Sequence, residues 1–193
     1  MKAALKGIVS LVFCVLLQSA SFAQTSPPVP GASLMGIFSA QVQIAENDPY
    51  LGNVTGESEF EFVAWSIGGM PAISINVNSM SFPGTTDCDW AKTYPLDDLM
   101  HEAAIDGLRR AIELGYIPCP TTCPSGNGIK VYYPTCVNRN NNGSCPVLTA
   151  ASTSDYSYNT YDICCENGTP AITLLSVTCG NTNCGTGYQS TCN

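Results

Sequence analysis

The chain has 193 residues and a formal net charge of −8, and only 11% of its residues are charged, against about 25% in a typical soluble domain. Nucleic acid and anionic membrane surfaces are both bound through clustered Lys and Arg. Seven basic residues against fifteen acidic ones therefore argue against either partner.

The first 23 residues have the layout of a secretory signal peptide. Lys2 and Lys6 precede an apolar run over 7–17, and Ser21-Phe22-Ala23 supplies small residues before a cut after Ala23. The apolar run is much shorter than the roughly 20 residues of a membrane-spanning helix, so no membrane insertion is expected after cleavage. Cleavage removes two lysines and no acid, which brings the net charge to −10. We expect a secreted protein, extracellular or periplasmic.

Ten cysteines remain after cleavage at that point. An even number in an oxidising compartment predicts full disulfide pairing and no metal site or other cofactor. Cys119 and Cys123 are separated by three residues, which does not match the CxxC spacing of the familiar redox and zinc motifs. The cysteines expected to form disulfides are Cys88, Cys119, Cys123, Cys136, Cys145, Cys164, Cys165, Cys179, Cys184 and Cys192.

The positions of the cysteines restrict their pairing. Cys88 is the only one in 24–118, so full pairing within the chain requires it to bridge to the second half; the alternative is a bond between two molecules. Cys164 and Cys165 are adjacent, and successive side chains of a strand point to opposite faces. We therefore expect two separate bridges that tie this strand to layers on both sides.

A further pairing is suggested by a turn motif. Asn142-Gly143 is typical of a tight β-hairpin with positive φ angles. Cys136 and Cys145 flank this dipeptide, and a bond between them would close the base of the hairpin.

The first half alternates between apolar and polar residues with the period of a strand. After a flexible lead over 24–33, such alternation occupies 37–45, 57–67 and 72–82, with turn residues between the runs. Three consecutive strands with one apolar face predict an antiparallel meander within a unit over 34–118. The residues expected to face inward are Phe38, Ala40, Val42, Ile44, Phe60, Phe62, Ala64, Ile73, Ile75 and Val77.

The stretch over 94–116 predicts the helix that covers this meander. Asp97 and Asp98 stand early and Arg109 and Arg110 late, and Gly115 follows, which is the charge order and stop of a helix. Apolar residues recur at spacings of three and four, as on the buried side of an amphipathic helix. The residues on that side are Leu96, Leu99, Met100, Ala103, Ala104, Gly107, Leu108, Ala111 and Leu114.

His101 is the only histidine, and Glu102 follows it directly. A zinc protease helix needs a second histidine at the fifth position, which here is Ile105. A Ser-His-Asp triad would also depend on His101, and no nucleophile-elbow motif accompanies it. We therefore interpret His101 as a partly exposed helix residue near Asp97 and Asp98, and assign no catalytic residue.

The second half, 119–193, is predicted to be a Cys-rich antiparallel β region that forms one compact unit with 34–118. Stretches over 128–137, 156–165 and 170–179 are rich in β-branched and aromatic residues, as strands are. The predicted fold class is therefore α+β: a β-meander covered by one amphipathic helix, followed by a disulfide-rich antiparallel β half.

Tyr156, Tyr158 and Tyr161 form the candidate ligand-binding group. Tyrosine rings beside amides and hydroxyls can stack on sugar rings and hydrogen-bond to them, and Tyr156 and Tyr158 share one face of a strand. The alternative is cross-strand packing in a small sheet. Sequons occur at Asn53, Asn142 and Asn167, and they matter only in a host that glycosylates.

Acidic residues supply the one catalytic alternative. Two carboxylates that flank a glycosidic bond support hydrolysis, and the candidates are Glu57, Glu59, Glu61, Asp87, Asp89, Asp97 and Asp98. The leading hypothesis is instead a secreted, disulfide-stabilised structural or binding protein of a cell surface, matrix or adhesive layer, without catalytic activity. Its expected partners are further copies of itself, or a glycan or surface polymer. A carbohydrate-binding module and a small carboxylate-dependent hydrolase are the alternatives.

Overall fold

The computed structural model describes the chain over residues 27–44, 49–50, 52, 56–83, 87–152 and 154–192. The predicted signal peptide and the sequon at Asn53 lie outside these residues.

One α-helix, one 3-10 turn and nine strands make up the regular structure of the described residues. In chain order they are β1 (Ser33–Ile44), β2 (Gly56–Ile67), β3 (Met70–Ser81), a 3-10 turn (Asp89–Lys92), α1 (Leu96–Glu113), β4 (Ile129–Pro134), β5 (Cys136–Asn140), β6 (Val147–Ala150), β7 (Tyr156–Glu166), β8 (Thr169–Thr178) and β9 (Gln189–Ser190).

The strands form two sheets. The large sheet has the order β1-β2-β3-β4-β7-β8, and the small one has the order β6-β5-β9. The predicted α+β class, with a meander, one covering helix and a disulfide-rich β part, is confirmed. Three strands of the second half, β4, β7 and β8, extend the meander into one continuous sheet. The junction between β3 and β4 is parallel, whereas the other pairings are antiparallel.

The predicted alternation of the first three strands is confirmed by burial. All ten residues expected to face inward are buried, and α1 packs on that face. The close packing requires a glycine at 107, because the ring of Phe62 occupies the space of a Cβ there. The expectation for Leu114 is wrong: it follows the last helical residue, Glu113, and its side chain is 43% exposed.

Five disulfides join the described cysteines. They are Cys88–Cys145, Cys119–Cys165, Cys123–Cys164, Cys136–Cys184 and Cys179–Cys192. Cys88 therefore bridges to the second half within the chain, as its isolated position predicts. Disulfides in this number are compatible with an extracellular or periplasmic location.

The bridges of Cys164 and Cys165 are separate, as predicted, but they do not reach two different layers. Cys165 bonds to Cys119 and Cys164 bonds to Cys123, so both tie β7 to one segment. The backbone N–H of Cys165 also donates to the carbonyl of Pro120 at 2.7 Å. This segment lies along β7 and meets both side chains.

The expected bond between Cys136 and Cys145 is wrong. Cys136 pairs with Cys184 and Cys145 pairs with Cys88. The connection between β5 and β6 is also longer than a tight hairpin, since Asn140 pairs with Val147 and residues 141–146 form the loop.

Within the described residues, no helix is long and apolar enough to cross a bilayer.

Candidate functional site

The structure separates the three tyrosines of the candidate ligand-binding group. Tyr156 and Tyr158 are half-buried on the face of the sheet opposite α1, beside the buried Trp65 and Tyr132. Tyr161 is fully buried and belongs to the core on the α1 face. One strand cannot present all three, because positions 158 and 161 differ by an odd number.

Tyr158 packs against its cross-strand neighbour. Its Cα partner on β4 is Tyr132, and the two ring centroids lie 5.3 Å apart. The Lys130 ammonium lies 4.4 Å from the centroid of the Tyr158 ring. A hydrogen bond with Thr178, followed by the charge of Lys130, lowers the pKa of Tyr158. These contacts match the cross-strand packing that was the alternative to a stacking platform.

A more developed polar site surrounds His101, on the other face of the sheet. His101 projects from α1 into a cavity of about 230 Å³ between the helix, β4, β7 and β8. The residues that line this His101 cavity are Asp97, Asp98, His101, Tyr133, Asn159, Leu174, Val177, Thr191 and Cys192.

A chain of hydrogen bonds runs along the inner wall of the cavity. The Tyr133 hydroxyl donates to Asn159 Oδ1 at 2.7 Å, and Asn159 Nδ2 donates to the Tyr161 hydroxyl at 3.1 Å. The Tyr161 hydroxyl lies 3.0 Å from His101 Nδ1, and the two rings are stacked. The helix and two strands are thus connected by one polar network.

Burial keeps the two tyrosines of this network protonated. It raises the pKa of Tyr161 to about 12 and also raises that of Tyr133. The Tyr161 hydroxyl accepts from Asn159 Nδ2 and lies within hydrogen-bond distance of His101 Nδ1. In the tautomer in which Nδ1 accepts from Tyr161, the ring proton is on Nε2. His101 can then donate a hydrogen bond from Nε2 to a neighbouring acceptor.

The carboxylates of the cavity come from one element of the fold. Asp97 and Asp98 are successive residues of the first turn of α1, and both line the cavity. Glycoside hydrolysis needs carboxyl groups that flank the scissile bond, which two adjacent residues of one helix end do not provide. The other acidic candidates are not among the lining residues, and Asp89 forms an ion pair with Lys92 at 2.6 Å.

No hydroxyl of the lining is arranged as a nucleophile. The Thr191 hydroxyl is buried and donates to the carbonyl of Pro134 at 2.6 Å, and the Tyr133 hydroxyl is bonded to Asn159. Among the described residues, one group of acids and cysteines has the spacing of metal ligands, namely Cys123, Cys164 and Glu166. Its two sulfurs are joined in a disulfide, so they offer no thiolate.

The sequence pointed to His101, Asp97 and Asp98 as neighbours but did not connect them with Tyr133, Asn159 or Thr191. Asn159 and Tyr161 alternate with Tyr158 along β7, and this alternation is the sequence feature that places them on the helix face. The approach of Tyr133 and Thr191 depends on the pairing of distant strands.

Comparisons of the chain with protein-family models, curated proteins and solved structures found no match.

Proposed function

We propose that this protein is an exported, non-catalytic binding protein, and that it holds a polyhydroxylated group, such as the terminal sugar of a glycan or surface polymer, in the His101 cavity. The observation that carries the proposal is the composition of this cavity. Its lining combines two carboxylates, an imidazole and hydrogen-bonded polar side chains with the apolar side chains of Leu174 and Val177.

The lining suits the two kinds of surface that a sugar ring presents. Hydroxyl groups can donate to the carboxylates of Asp97 and Asp98, and they can accept from Nε2 of His101. The C–H face of the ring can pack on the apolar wall. A volume of about 230 Å³ is small, which favours a single ring over a longer segment held in a closed site.

Binding without catalysis is supported by the way the reactive groups are occupied. His101 Nδ1 is engaged by Tyr161, and the Thr191 hydroxyl is bonded to a backbone carbonyl. The two carboxylates come from successive residues of the first turn of α1. The disulfides of the second half stabilise the fold against unfolding outside the cell, where an adhesive or matrix protein would act.

The proposal is tested on a glycan array with the mature, fully oxidised chain, followed by calorimetry with the best sugar. Asp98→Asn and His101→Ala should each weaken binding by about tenfold, which corresponds to about 1.4 kcal/mol for each lost contact. Asp89→Asn is the matched control, because this acid lies outside the cavity and its exposed ion pair contributes little.

The same experiment separates the cavity from the tyrosine surface. Tyr156→Ala combined with Tyr158→Ala should leave sugar affinity unchanged, because these rings lie on the opposite face of the sheet. Loss of binding in that double variant, with normal binding in Asp98→Asn, would move the site to the tyrosines. Release of a shortened sugar product would show that the protein hydrolyses the sugar, which contradicts the proposed binding without catalysis.

A further inference from the structure

A second cavity lies on the face of the large sheet opposite α1, beside the parallel junction of β3 and β4. Ala72 on β3 pairs with Lys130 on β4, and Ser74 pairs with Tyr132. The cavity has a volume of about 210 Å³ and is bordered by residues on both sides of the β2–β3 turn and by the start of β4. We call it the Lys130 cavity. None of the described residues lines both this cavity and the His101 cavity.

The walls of the Lys130 cavity are apolar. Ile67 and Met70 pair across the β2–β3 turn, Pro71 follows Met70, and all three line the cavity. Two further lining residues are small, since Gly128 has no side chain and Ala72 has one methyl group. These small residues leave open space between the larger side chains. Met70 is 49% exposed, so this wall can be reached by a ligand from solution.

Lys130 is the one charged residue among the described residues that line this cavity. Its ammonium lies 4.4 Å from the centroid of the Tyr158 ring. The three ion pairs of the described residues use other cations, namely Lys92, Arg109 and Arg110. A ring face attracts a cation but, unlike a carboxylate, does not neutralise its charge. Because an ammonium has three N–H donors, contact with one ring leaves Lys130 able to bind an anion.

Tyr132 supplies a second donor to the cavity. It is only 4% exposed, and its hydroxyl forms no hydrogen bond with any of the described residues. The hydroxyl of a buried tyrosine usually has a partner. Tyr132 and Lys130 are two positions apart on β4, so their side chains point to the same face of the sheet. An ammonium and a phenol without a partner thus border one apolar cavity.

We propose that the Lys130 cavity binds a small amphipathic carboxylate. The anionic group of this ligand accepts hydrogen bonds from the Lys130 ammonium and the Tyr132 hydroxyl. Its apolar part, a single ring or a short alkyl chain, packs on Ile67, Met70 and Pro71. Ligand sites of this kind combine apolar walls with a few polar groups that fix the orientation.

The charges of the molecule favour an amphipathic anion over a purely polar one. With a net charge of −8 the protein repels anions in general, so the ammonium alone attracts an anion weakly. Burial of an apolar group supplies the remaining affinity. A sugar fits this cavity poorly, because many of its hydroxyl groups would face apolar walls without partners. The ligand therefore differs in class from the one proposed for the His101 cavity.

The test is calorimetry of the mature, oxidised chain with phenylacetate and with phenylacetamide, its uncharged counterpart. Phenylacetate should bind at least about tenfold more tightly than the amide, because only the acid forms charge-assisted hydrogen bonds. Acetate, which has no ring, should bind at least about tenfold more weakly than phenylacetate.

Two substitutions separate the contributions of charge and apolar surface. Lys130→Met keeps an unbranched apolar side chain but removes the ammonium, so it should abolish the preference for the acid and leave the affinity for the amide unchanged. Met70→Ala should weaken both ligands by a similar factor. Lys92→Met is the matched control, because Lys92 lies outside the cavity and pairs with Asp89, and it should change neither affinity.

Nuclear magnetic resonance locates the ligand independently of any variant. Phenylacetate should shift the amide signals of residues 70–72 and 128–132 and leave those of residues 97–101 unchanged. Equal affinities for acid and amide, or no binding of phenylacetate at millimolar concentration, would overturn the proposal. So would an unchanged preference for the acid in Lys130→Met, or an equal loss in Lys92→Met.

Discussion

His101 and Tyr161, sixty residues apart in sequence, are joined by a 3.0 Å contact between Nδ1 and the phenol oxygen, with their rings stacked 5.9 Å apart. This pair fastens the first half of α1 to β7. It also orients the single imidazole of the chain toward the cavity, because the Tyr161 hydroxyl engages Nδ1 and leaves Nε2 available. The pair is thus both a structural link between the two halves and a part of the candidate site.

Removing the phenol oxygen should cost stability. Tyr161→Phe leaves Asn159 Nδ2 and His101 Nδ1 without their partner, and an unsatisfied buried polar group costs about 1–3 kcal/mol. Guanidinium unfolding of the oxidised protein measures this change in the free energy of unfolding. Tyr188→Phe is the control, because Tyr188 is exposed, and it should change the free energy by less than about 0.5 kcal/mol. Equal effects of the two changes would contradict the role of the network.

The Tyr161 hydroxyl should also make the folded protein less stable in alkali. Burial raises the pKa of Tyr161 to about 12, so the folded state favours the protonated form. Its contribution is complete below the ordinary tyrosine pKa of about 10 and is lost as the pH rises through about 12. Burial also raises the pKa of Tyr133, so titration of tyrosinate absorbance should show late-ionising groups, with one fewer in Tyr161→Phe. Ionisation of all tyrosines near pH 10 would refute the prediction.

Asp162 should hold the loop before β4 in place. Its carboxylate accepts from the Ser125 hydroxyl at 2.7 Å and from the backbone N–H groups of Ser125 and Gly126. The hydrogen bond from the Ser125 side chain, followed by the backbone bonds, lowers the pKa of Asp162. The resulting stabilisation is complete above the ordinary carboxyl pKa of about 4 and is lost as the pH falls below it.

This loop can be observed by hydrogen exchange at neutral pH. Asp162→Ala should accelerate exchange of the amides at 125–127, whereas Glu166→Gln, an exposed acid later on the same strand, should not. Unchanged protection in Asp162→Ala would show that the loop is held by the nearby disulfides alone.

The paired bridges of Cys164 and Cys165 should be redundant. Cys119–Cys165 and Cys88–Cys145 close segments of similar length, with sequence separations of 46 and 57, and each alone should contribute about 4 kcal/mol by chain entropy. When Cys119 and Cys165 are replaced by Ala, the bond between Cys123 and Cys164 still joins the same segments. We therefore expect this replacement to lower the free energy of unfolding by less than half of that amount.

Replacing Cys88 and Cys145 is the matched comparison, since no neighbouring bridge can take over their link. In a denaturant titration, this change should lower the free energy of unfolding by more than replacement of Cys119 and Cys165 does. Removal of both bridges of β7 should cost clearly more than the sum of the two separate removals. A simple sum would show that the bridges act independently.

Local patterns were sufficient to predict much of the fold. Alternation in the first three strands and the spacing of apolar residues in α1 determine which sides are buried, because each pattern has the period of its own element. The number of cysteines and the isolation of Cys88 predicted a disulfide between the halves, and the structure has it at Cys88–Cys145. The absence of a second histidine argued against a zinc protease from the sequence alone.

The tertiary structure decided which distant residues meet. The parallel junction of β3 and β4, the partners of Cys136 and Cys145, and the assembly of Tyr133, Asn159 and Tyr161 around His101 all depend on strand order. Strand order follows from burial and hydrogen bonding over the whole chain, and periodicity within one strand carries no information about its neighbour. The same order leaves β8 at an edge of the large sheet in the part of the chain that the structure describes.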